Sequence, residues 1–400
     1  MKVKPVILCG GSGSRLFPNF KKNPSKQFID FGGWSLFEKT LDRINNSIFD
    51  SPIISTNKSY KTLVLYALKK KKIKKFKIIL EPLKKNTAPA IIISTLIGDI
   101  KPNQPILFLP SDHYIPEKDK FNKVLKSNLS TLDNMNIFIF GIKARNPRTD
   151  YGYLLSKKSK NINKVVKFIE KPKKNNAKKI ILKKGLWNSG IVLARKDSII
   201  NNVKKIQKNL FNHCFKTTIK SKVKNNTIIL NKKYFCKIKA ISFDYAILEK
   251  AKQINSIELN LKWSDLGSWK EIFKIIKSQT TKDNIKKNTF YRPWGNYKNF
   301  FKGKNFLLKE LTINKNSSIS LQKHHHRAEH WTVSEGKPKI TIGKKVFFKK
   351  VNESVFVPKG SIHRIENNFN EPVKIIEAQL GNILKETDII RYKDIYGRVK

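Results

Sequence analysis

Along the first third of the chain, short apolar runs alternate with longer stretches in which apolar residues recur every three or four positions. The short runs at 3–8, 52–55, 77–80, 106–109 and 137–140 read as strands. The stretches between them, 35–45, 60–71, 87–97 and 120–132, read as helices, the first opening with Ser35 and Glu38 at capping-box spacing. Strand–helix alternation of this kind predicts an α/β, Rossmann-like domain with a mostly parallel sheet covered on both faces. Ligands of such sheets bind beyond the carboxyl ends of the strands. Residues 142–270 continue the domain less regularly, with one more helix signal at 244–251.

The texture changes near Tyr291. Short alternating segments at 306–313, 337–342, 346–349 and 373–379 are punctuated by Gly, Pro and Asn, and no long helix interrupts them. This predicts an all-β barrel or jelly roll at the C-terminal end. The polar stretch before it reads as a linker. The expected division is therefore 1–276, a linker over 277–290, and 291–400.

Composition narrows the class. A chain of 400 residues suggests two or three domains, and 39% hydrophobic residues can bury a full core. No run offers the eighteen apolar residues of a membrane span, and the opening Met1-Lys2-Val3-Lys4-Pro5 lacks a cleavage region. Cys9, Cys214 and Cys236 have no metal-like spacing and read as reduced thiols, so the chain is expected in the cytoplasm. The formal charge of +54 invites a nucleic-acid reading. Its lysines, however, are spread over nearly every segment in company with Asn and Ile, as solvated faces rather than a patch. No specific nucleic-acid partner is expected; the charge favours anionic substrates.

Candidate chemistry begins where the first strand runs into Cys9-Gly10-Gly11-Ser12-Gly13-Ser14-Arg15. Glycines let backbone N–H groups approach a phosphate, and Arg15 and Lys26 can neutralise a polyphosphate. No Gly-Lys-Ser/Thr closes the loop, and the third position of a dinucleotide fingerprint is Leu16, so neither of those phosphate loops fits. Asp112 lies just past the strand at 106–109, and a second acid, Asp265, sits between Trp263 and Trp269. Two such carboxylates suit Mg²⁺ bridging phosphate oxygens. The plainer alternative makes Asp112 a turn cap and Asp265 a loop acid.

The loop with Pro24-Ser25-Lys26-Gln27 resembles the signature of mannose-1-phosphate guanylyltransferases. Matching stretches follow in family order: Glu81-Pro82 with Asn86-Thr87-Ala88-Pro89-Ala90, then Tyr151-Gly152-Tyr153, Glu170-Lys171-Pro172 and Trp187-Asn188-Ser189-Gly190. The resemblance covers residues 3–270. It implies a nucleotidyltransferase domain whose loop, Gly10, Gly11, Ser12 and Gly13, with Asn86 and Asp112, meets the nucleotide. By the same resemblance Lys171 holds the sugar phosphate, while Gly152, Glu170 and Asn188 meet the sugar. Arg15 and Lys26 would stabilise the triphosphate, and Asp112 and Asp265 would hold Mg²⁺. Cys9, Phe17 and Asp150 depart from the family's usual wording, Asp150 standing where glycine is common.

Near the other end, four of the seven histidines fall in Gln322-Lys323-His324-His325-His326-Arg327-Ala328-Glu329-His330. Alternate residues of a strand share a face, so Gln322 and His324 can point inward together. The spacing is similar to the two cupin motifs, with His363 after Pro358-Lys359-Gly360 completing a set of Gln322, His324, Glu329 and His363 for Zn²⁺ or a similar divalent metal. A second register would use His326 with His324, and a metal-free cupin would be a dimerisation or stabilising module on a monofunctional guanylyltransferase. With Arg292-Pro293-Trp294-Gly295 and the ending 388–398, this half resembles the phosphomannose isomerase domain of bifunctional isomerase–guanylyltransferases, in which Arg327 is the candidate for the isomerase reaction. The resemblance implies GTP, mannose-1-phosphate and hexose-6-phosphates as substrates. A basic polyanion-binding protein on a retired scaffold would have lost Arg15, Asp112 or Lys171, and all three are present.

Overall fold

The computed structural model describes residues 1–11, 16, 25–31, 33–97, 100–159, 162–280 and 282–397. Their contacts divide into two compact units, with Ser35–Asp265 and the opening strand in one and Leu266–Lys400 in the other.

Among the described residues the first unit holds one sheet of eleven strands. They are β1 (Lys4–Cys9), β2 (Ile53–Asn57), β3 (Lys77–Glu81), β4 (Pro105–Pro110), β5 (Ile137–Lys143), β6 (Tyr153–Ser159), β7 (Ile162–Ile169), β8 (Leu186–Arg195), β9 (Lys222–Lys224), β10 (Thr227–Ile229) and β11 (Ile254–Leu259). The sheet order is β5-β11-β7-β6-β8-β4-β1-β2-β3-β10-β9. Strand alternation sends Ile7, Ile54, Ile78 and Leu107 to one face and Val6, Ile53, Ile79 and Ile106 to the other. The first face is covered by helices Leu36–Ile44, Lys61–Lys70 and Lys118–Asn128. The second is covered by Thr87–Ile97, Lys196–Ile206 and Lys208–Ile219. The expected capping box is formed, the Glu38 N–H donating to Ser35 Oγ at 3.2 Å and the Ser35 N–H to Glu38 Oε2 at 3.3 Å.

The parallel core expected from the alternation is the run β4-β1-β2-β3-β10. The sheet as a whole is mixed, because β6, β7 and β8 pair antiparallel with their neighbours. Those strands come from the irregular stretch after 142. There β7 buries only Val165 fully, so its hydrophobic signal is weak. The helix signal at 244–251 is a single π-helical turn, Asp244–Leu248, closed by the Glu249 N–H on the Asp244 carbonyl at 3.0 Å. Such turns often mark functional positions.

In the second unit, residues expected as linker are largely helical, in Trp269–Gln279 and Lys282–Lys287. Ser268 caps the first by accepting from the Glu271 N–H, and Trp269, Ile272, Phe273 and Ile276 form its buried face. Phe273 meets Phe300 edge-on at 4.6 Å.

Twelve strands follow among the described residues: β12 (Thr289–Arg292), β13 (Gly295–Lys302), β14 (Phe306–Ile313), β15 (Ser317–Ser318), β16 (Leu321–His324), β17 (Arg327–Glu335), β18 (Lys339–Ile342), β19 (Lys345–Phe348), β20 (Ser354–Val357), β21 (His363–Asn367), β22 (Val373–Gly381) and β23 (Ile389–Lys393). They form one sheet in the order β12-β13-β14-β22-β17-β20. A second runs β19-β18-β21-β16-β23, with β15 on β21. Trp331, Ile313, Ile365 and Ile375 fill the core of this unit, as expected of a jelly roll. Among the described residues no helix is long and apolar enough to cross a membrane.

Candidate functional site

In the first unit the chemistry gathers at the carboxyl ends of the parallel strands. Lys26 opens a 3₁₀ turn, Lys26–Phe28, and is buried. Its Nζ lies 2.8 Å from Asp112 Oδ2, just past β4, and also bonds the Asp265 carbonyl. The turn is tied back to the end of β1, where the Gly11 carbonyl accepts from Ser25 Oγ and from Gln27 Nε2 at 3.2 Å. Burial alone would raise the Asp112 carboxyl, but Lys26 and His113 outweigh it and hold it below its usual range. Burial lowers His113. The Tyr151 hydroxyl donates to Asp265 Oδ1 at 2.6 Å, with its ring edge-on to Trp263 and Trp187.

A second cluster begins one residue on. At Gly152 a Cβ would stand 2.5 Å from Glu170 Oε2, so only glycine allows the two to approach. Lys171 follows Glu170 with φ 46°, a left-handed conformation rare for lysine, and its N–H bonds the Tyr151 carbonyl at 3.2 Å. Its Nζ lies 3.6 Å from Glu170 Oε1. Asn188 Nδ2 donates to Asp244 Oδ1 at 2.7 Å, at the head of the π turn. Burial, then the Asp244 carboxyl, push Glu170 up to about 7, and Asp244 is itself raised by burial. Asp244 did not emerge as a site residue from sequence, because only the fold shows that it holds Asn188.

Gly10 directly follows β1, and Asn86, at φ 67°, accepts the Thr87 N–H on its Oδ1 at 2.9 Å, starting the helix Thr87–Ile97. Asp150, the departure from family wording, makes a two-point ion pair with Arg148 at 2.9 Å. The Arg148 guanidinium in turn lies 4.7 Å from the centre of the Tyr151 ring. Ser12, Gly13, Arg15 and Phe17 lie outside the described residues.

In the second unit, His324 on β16, Glu329 on β17 and His363 on β21 bring their ligand atoms within 4.8 Å of one another, all buried. His324 Nε2 stands 3.1 Å from Glu329 Oε1 and 3.2 Å from His363 Nε2. Each histidine uses its other nitrogen on a backbone carbonyl, His324 Nδ1 on Asp388 at 3.1 Å and His363 Nδ1 on Ser361 at 2.8 Å. A carbonyl only accepts, so each Nδ1 carries a hydrogen and both Nε2 atoms are left facing inward, the orientation metal-binding imidazoles use. Gln322 Nε2 joins at 3.4 Å from His324 Nε2. His326 sits in the exposed turn after β16, so of the two registers it is the one with His324 and without His326 that converges. Burial would raise Glu329, but His324 and Arg327 hold it well below the usual carboxylate range. Its Oε2 is buried without a hydrogen-bond partner, which fits a donor awaiting a cation. Arg327 is buried, with Nε 3.0 Å from Glu329 Oε1 and Nη2 3.3 Å from His324 Nε2. Glu377 on β22 was not legible as a site residue. It accepts from Trp331 Nε1 at 3.2 Å and Gln379 Nε2 at 3.3 Å.

The nucleotidyl transferase family model matches residues 4–282, and the mannose-6-phosphate isomerase C-terminal model matches residues 279–394. The chain is 30% identical to the alginate biosynthesis protein AlgA of Pseudomonas fluorescens, over 98% of this chain and 96% of that one. It is also 30% identical to a mannose-1-phosphate guanylyltransferase of Salmonella montevideo, over 99% of this chain and the whole of the relative. Among solved structures, mannose-6-phosphate isomerase from Helicobacter pylori matches 66% of this chain and all of its own, with a TM-score of 0.58 and 27% identity. The structure described as mannose-1-phosphate geranyltransferase from Thermus thermophilus shares the fold over 69% of this chain and 79% of its own, at TM-score 0.59 and 21% identity.

Proposed function

The chain belongs to the nucleotidyl transferase family and carries a mannose-6-phosphate isomerase C-terminal domain, and from that premise we propose that it makes GDP-mannose and interconverts two hexose 6-phosphates. In the first unit, GMP passes from GTP to mannose-1-phosphate. A sugar-phosphate oxygen attacks the α-phosphorus in line, forming the new O–P bond as the bond to the β-phosphate breaks and pyrophosphate leaves.

Little covalent work falls to the protein, so positioning and charge dominate. Mg²⁺ held by Asp112 and Asp265 would supply charge neutralisation at the phosphate oxygens. Lys26 is fixed between the Asp112 carboxylate and the Asp265 carbonyl, where it can meet the triphosphate. Lys171 holds the sugar phosphate, while Gly152, Glu170 and Asn188 line the sugar, with Asp244 orienting Asn188. Arg15, Gly10, Gly11, Ser12, Gly13 and Asn86 complete the nucleotide side of this proposal. The observation that carries it is the meeting of Lys26, Asp112 and Asp265 at the strand ends.

In the second unit, mannose 6-phosphate and fructose 6-phosphate interconvert. A divalent metal such as Zn²⁺ on His324, Glu329, His363 and Gln322 would polarise the substrate carbonyl. Arg327 neutralises Glu329 and presents its guanidinium to the same space, where it can hold a developing oxyanion. Both activities are tested by incubating the full chain with GTP, mannose-1-phosphate and Mg²⁺, and separately with mannose 6-phosphate and Zn²⁺. Pyrophosphate is expected from the first mixture and fructose 6-phosphate from the second; absence of either product refutes that half.

A further inference from the structure

The cavity of the second unit extends beyond the His324–Glu329–His363 cluster. Its wall includes Gln322, Arg327 and Glu329 together with Arg292, Tyr297, Lys309 and Arg391. The strand pairings account for this. Arg391 on β23 is the direct partner of Gln322 on β16, and Lys309 on β14 is the direct partner of Glu377 on β22. Partners across a ladder share a face, so the metal-binding face carries these cations along with it.

The charges here do not all cancel within the protein. Four cationic side chains, Arg292, Lys309, Arg327 and Arg391, line the cavity. Arg327 is taken by Glu329, and Lys309 by Glu386 at 2.9 Å. Arg292 spends its donors on neutral groups, the Tyr291 carbonyl at 2.8 Å and the Tyr297 hydroxyl at 3.1 Å. Arg391 keeps a buried Nε with no hydrogen-bond partner. A buried guanidinium nitrogen without an acceptor costs free energy unless a ligand supplies one. Tyr297 braces the group, with the Lys309 ammonium 4.6 Å and the Arg292 guanidinium 5.0 Å from its ring centre.

We infer that Arg391 and Arg292, with Lys309 behind them, form the phosphate subsite of the isomerase cavity and take the 6-phosphate of the hexose. An open-chain hexose 6-phosphate carries its phosphate at the end opposite the reacting carbonyl. The cavity offers the matching chemistry, with Gln322 and Glu329 of the metal set and the guanidinium groups of Arg292 and Arg391 in one lining. Guanidinium forks suit phosphate oxygens in both charge and geometry. The subsite rests on the isomerase reading above and gives it a reason to prefer phosphorylated over free sugars.

The test uses the full chain loaded with Zn²⁺ and its Arg391→Gln, Arg391→Lys and Arg292→Gln variants. KM and kcat are measured for fructose 6-phosphate, with inorganic phosphate as competitor and unphosphorylated fructose as the control substrate. Arg391→Gln should raise KM for fructose 6-phosphate about tenfold to a hundredfold and weaken competition by inorganic phosphate similarly, with kcat within a few-fold. Arg391→Lys should recover part of the loss, and Arg292→Gln should show the same pattern more weakly. Turnover of fructose should be unchanged by any of them, and a wild-type urea midpoint for the second unit reports that each variant is folded. Wild-type isomerisation with an unchanged KM in both glutamine variants overturns the subsite and leaves the isomerase reading standing. No isomerisation by the wild type overturns the isomerase reading, and the subsite with it.

Discussion

The two sites of this chain are built in opposite ways. In the first unit four charged groups proposed for transfer sit in connections: Lys26 in a short turn, Asp112 after β4, Lys171 after β7 and Asp265 after β11. In the second, His324, Arg327, Glu329 and His363 belong to paired strands and are almost wholly buried. Both place a basic side chain against a carboxylate proposed to bind metal, Lys26 against Asp112 and Arg327 against Glu329. The difference lies in what happens when one partner is removed. The side chain of Asp112 is 34% exposed, whereas those of Glu329 and Arg327 are 1% and 2% exposed. A site on loops can rearrange around substrate, while a site on strands is preorganised and is part of the fold's stability.

The sharpest way to break this comparison is to measure stability after carboxylate removal. Glu329→Ala leaves Arg327 buried with its main partner gone. It should cost about 3–5 kcal/mol in urea unfolding of the second unit. Asp265→Ala should cost less, about 1–2 kcal/mol, because it removes the acceptor of the Tyr151 hydroxyl while Lys26 keeps the Asp265 carbonyl and Asp112. Equal costs would mean that both sites are structural in the same degree.

Next in size is the effect on transfer. Asp265→Ala should slow pyrophosphate release about a hundredfold to a thousandfold, the scale of losing one preorganised charge-stabilising group. A fall of less than tenfold, with Mg²⁺ varied, would remove Asp265 from the metal site.

pH separates the sites more gently. Glu170 is raised to about 7, whereas Glu329 is held well below the carboxylate range. As pH rises through 7, Glu170 ionises and becomes a stronger acceptor for sugar hydroxyls. KM for mannose-1-phosphate should therefore fall about fivefold between pH 6 and 8. Folding stability runs the other way. A carboxyl raised above its unfolded value of 4.5 contributes stability that is complete below pH 4.5 and lost as pH rises through 7. Glu170→Gln should flatten the KM profile; a profile that keeps its slope in that variant assigns the titration elsewhere.

The smallest expected effect is at Asp150. Its ion pair with Arg148 is about one-third exposed on both sides. Asp150→Gly should cost no more than about 0.5 kcal/mol and change transfer less than threefold. A larger loss of transfer would show that the Arg148 contact with Tyr151, and through it Asp265, is needed for catalysis.

Legibility followed the same division. Asp112 could be read because an acid directly after an apolar strand lies where parallel sheets bind ligands, and the His324–Glu329–His363 set because strand alternation fixes which side chains share a face. Asp244 was hidden because its role depends on Asn188, 56 positions away. Arg391, Lys309 and Glu377 were hidden because their relevance comes from cross-strand pairing, which single-chain periodicity does not contain. The antiparallel strand β7 was obscured because it buries only Val165 fully, and the helix Trp269–Gln279 by the charged residues between its apolar ones.

On this proposal one chain carries two chemistries on separate sets of residues. The direct test is to measure pyrophosphate release from GTP and mannose-1-phosphate beside fructose 6-phosphate formation from mannose 6-phosphate, in wild type, Asp265→Ala and Glu329→Ala. Asp265→Ala is expected to lose only the first and Glu329→Ala only the second. Loss of both activities in Asp265→Ala, in protein whose second unit still unfolds at the wild-type urea concentration, would contradict it.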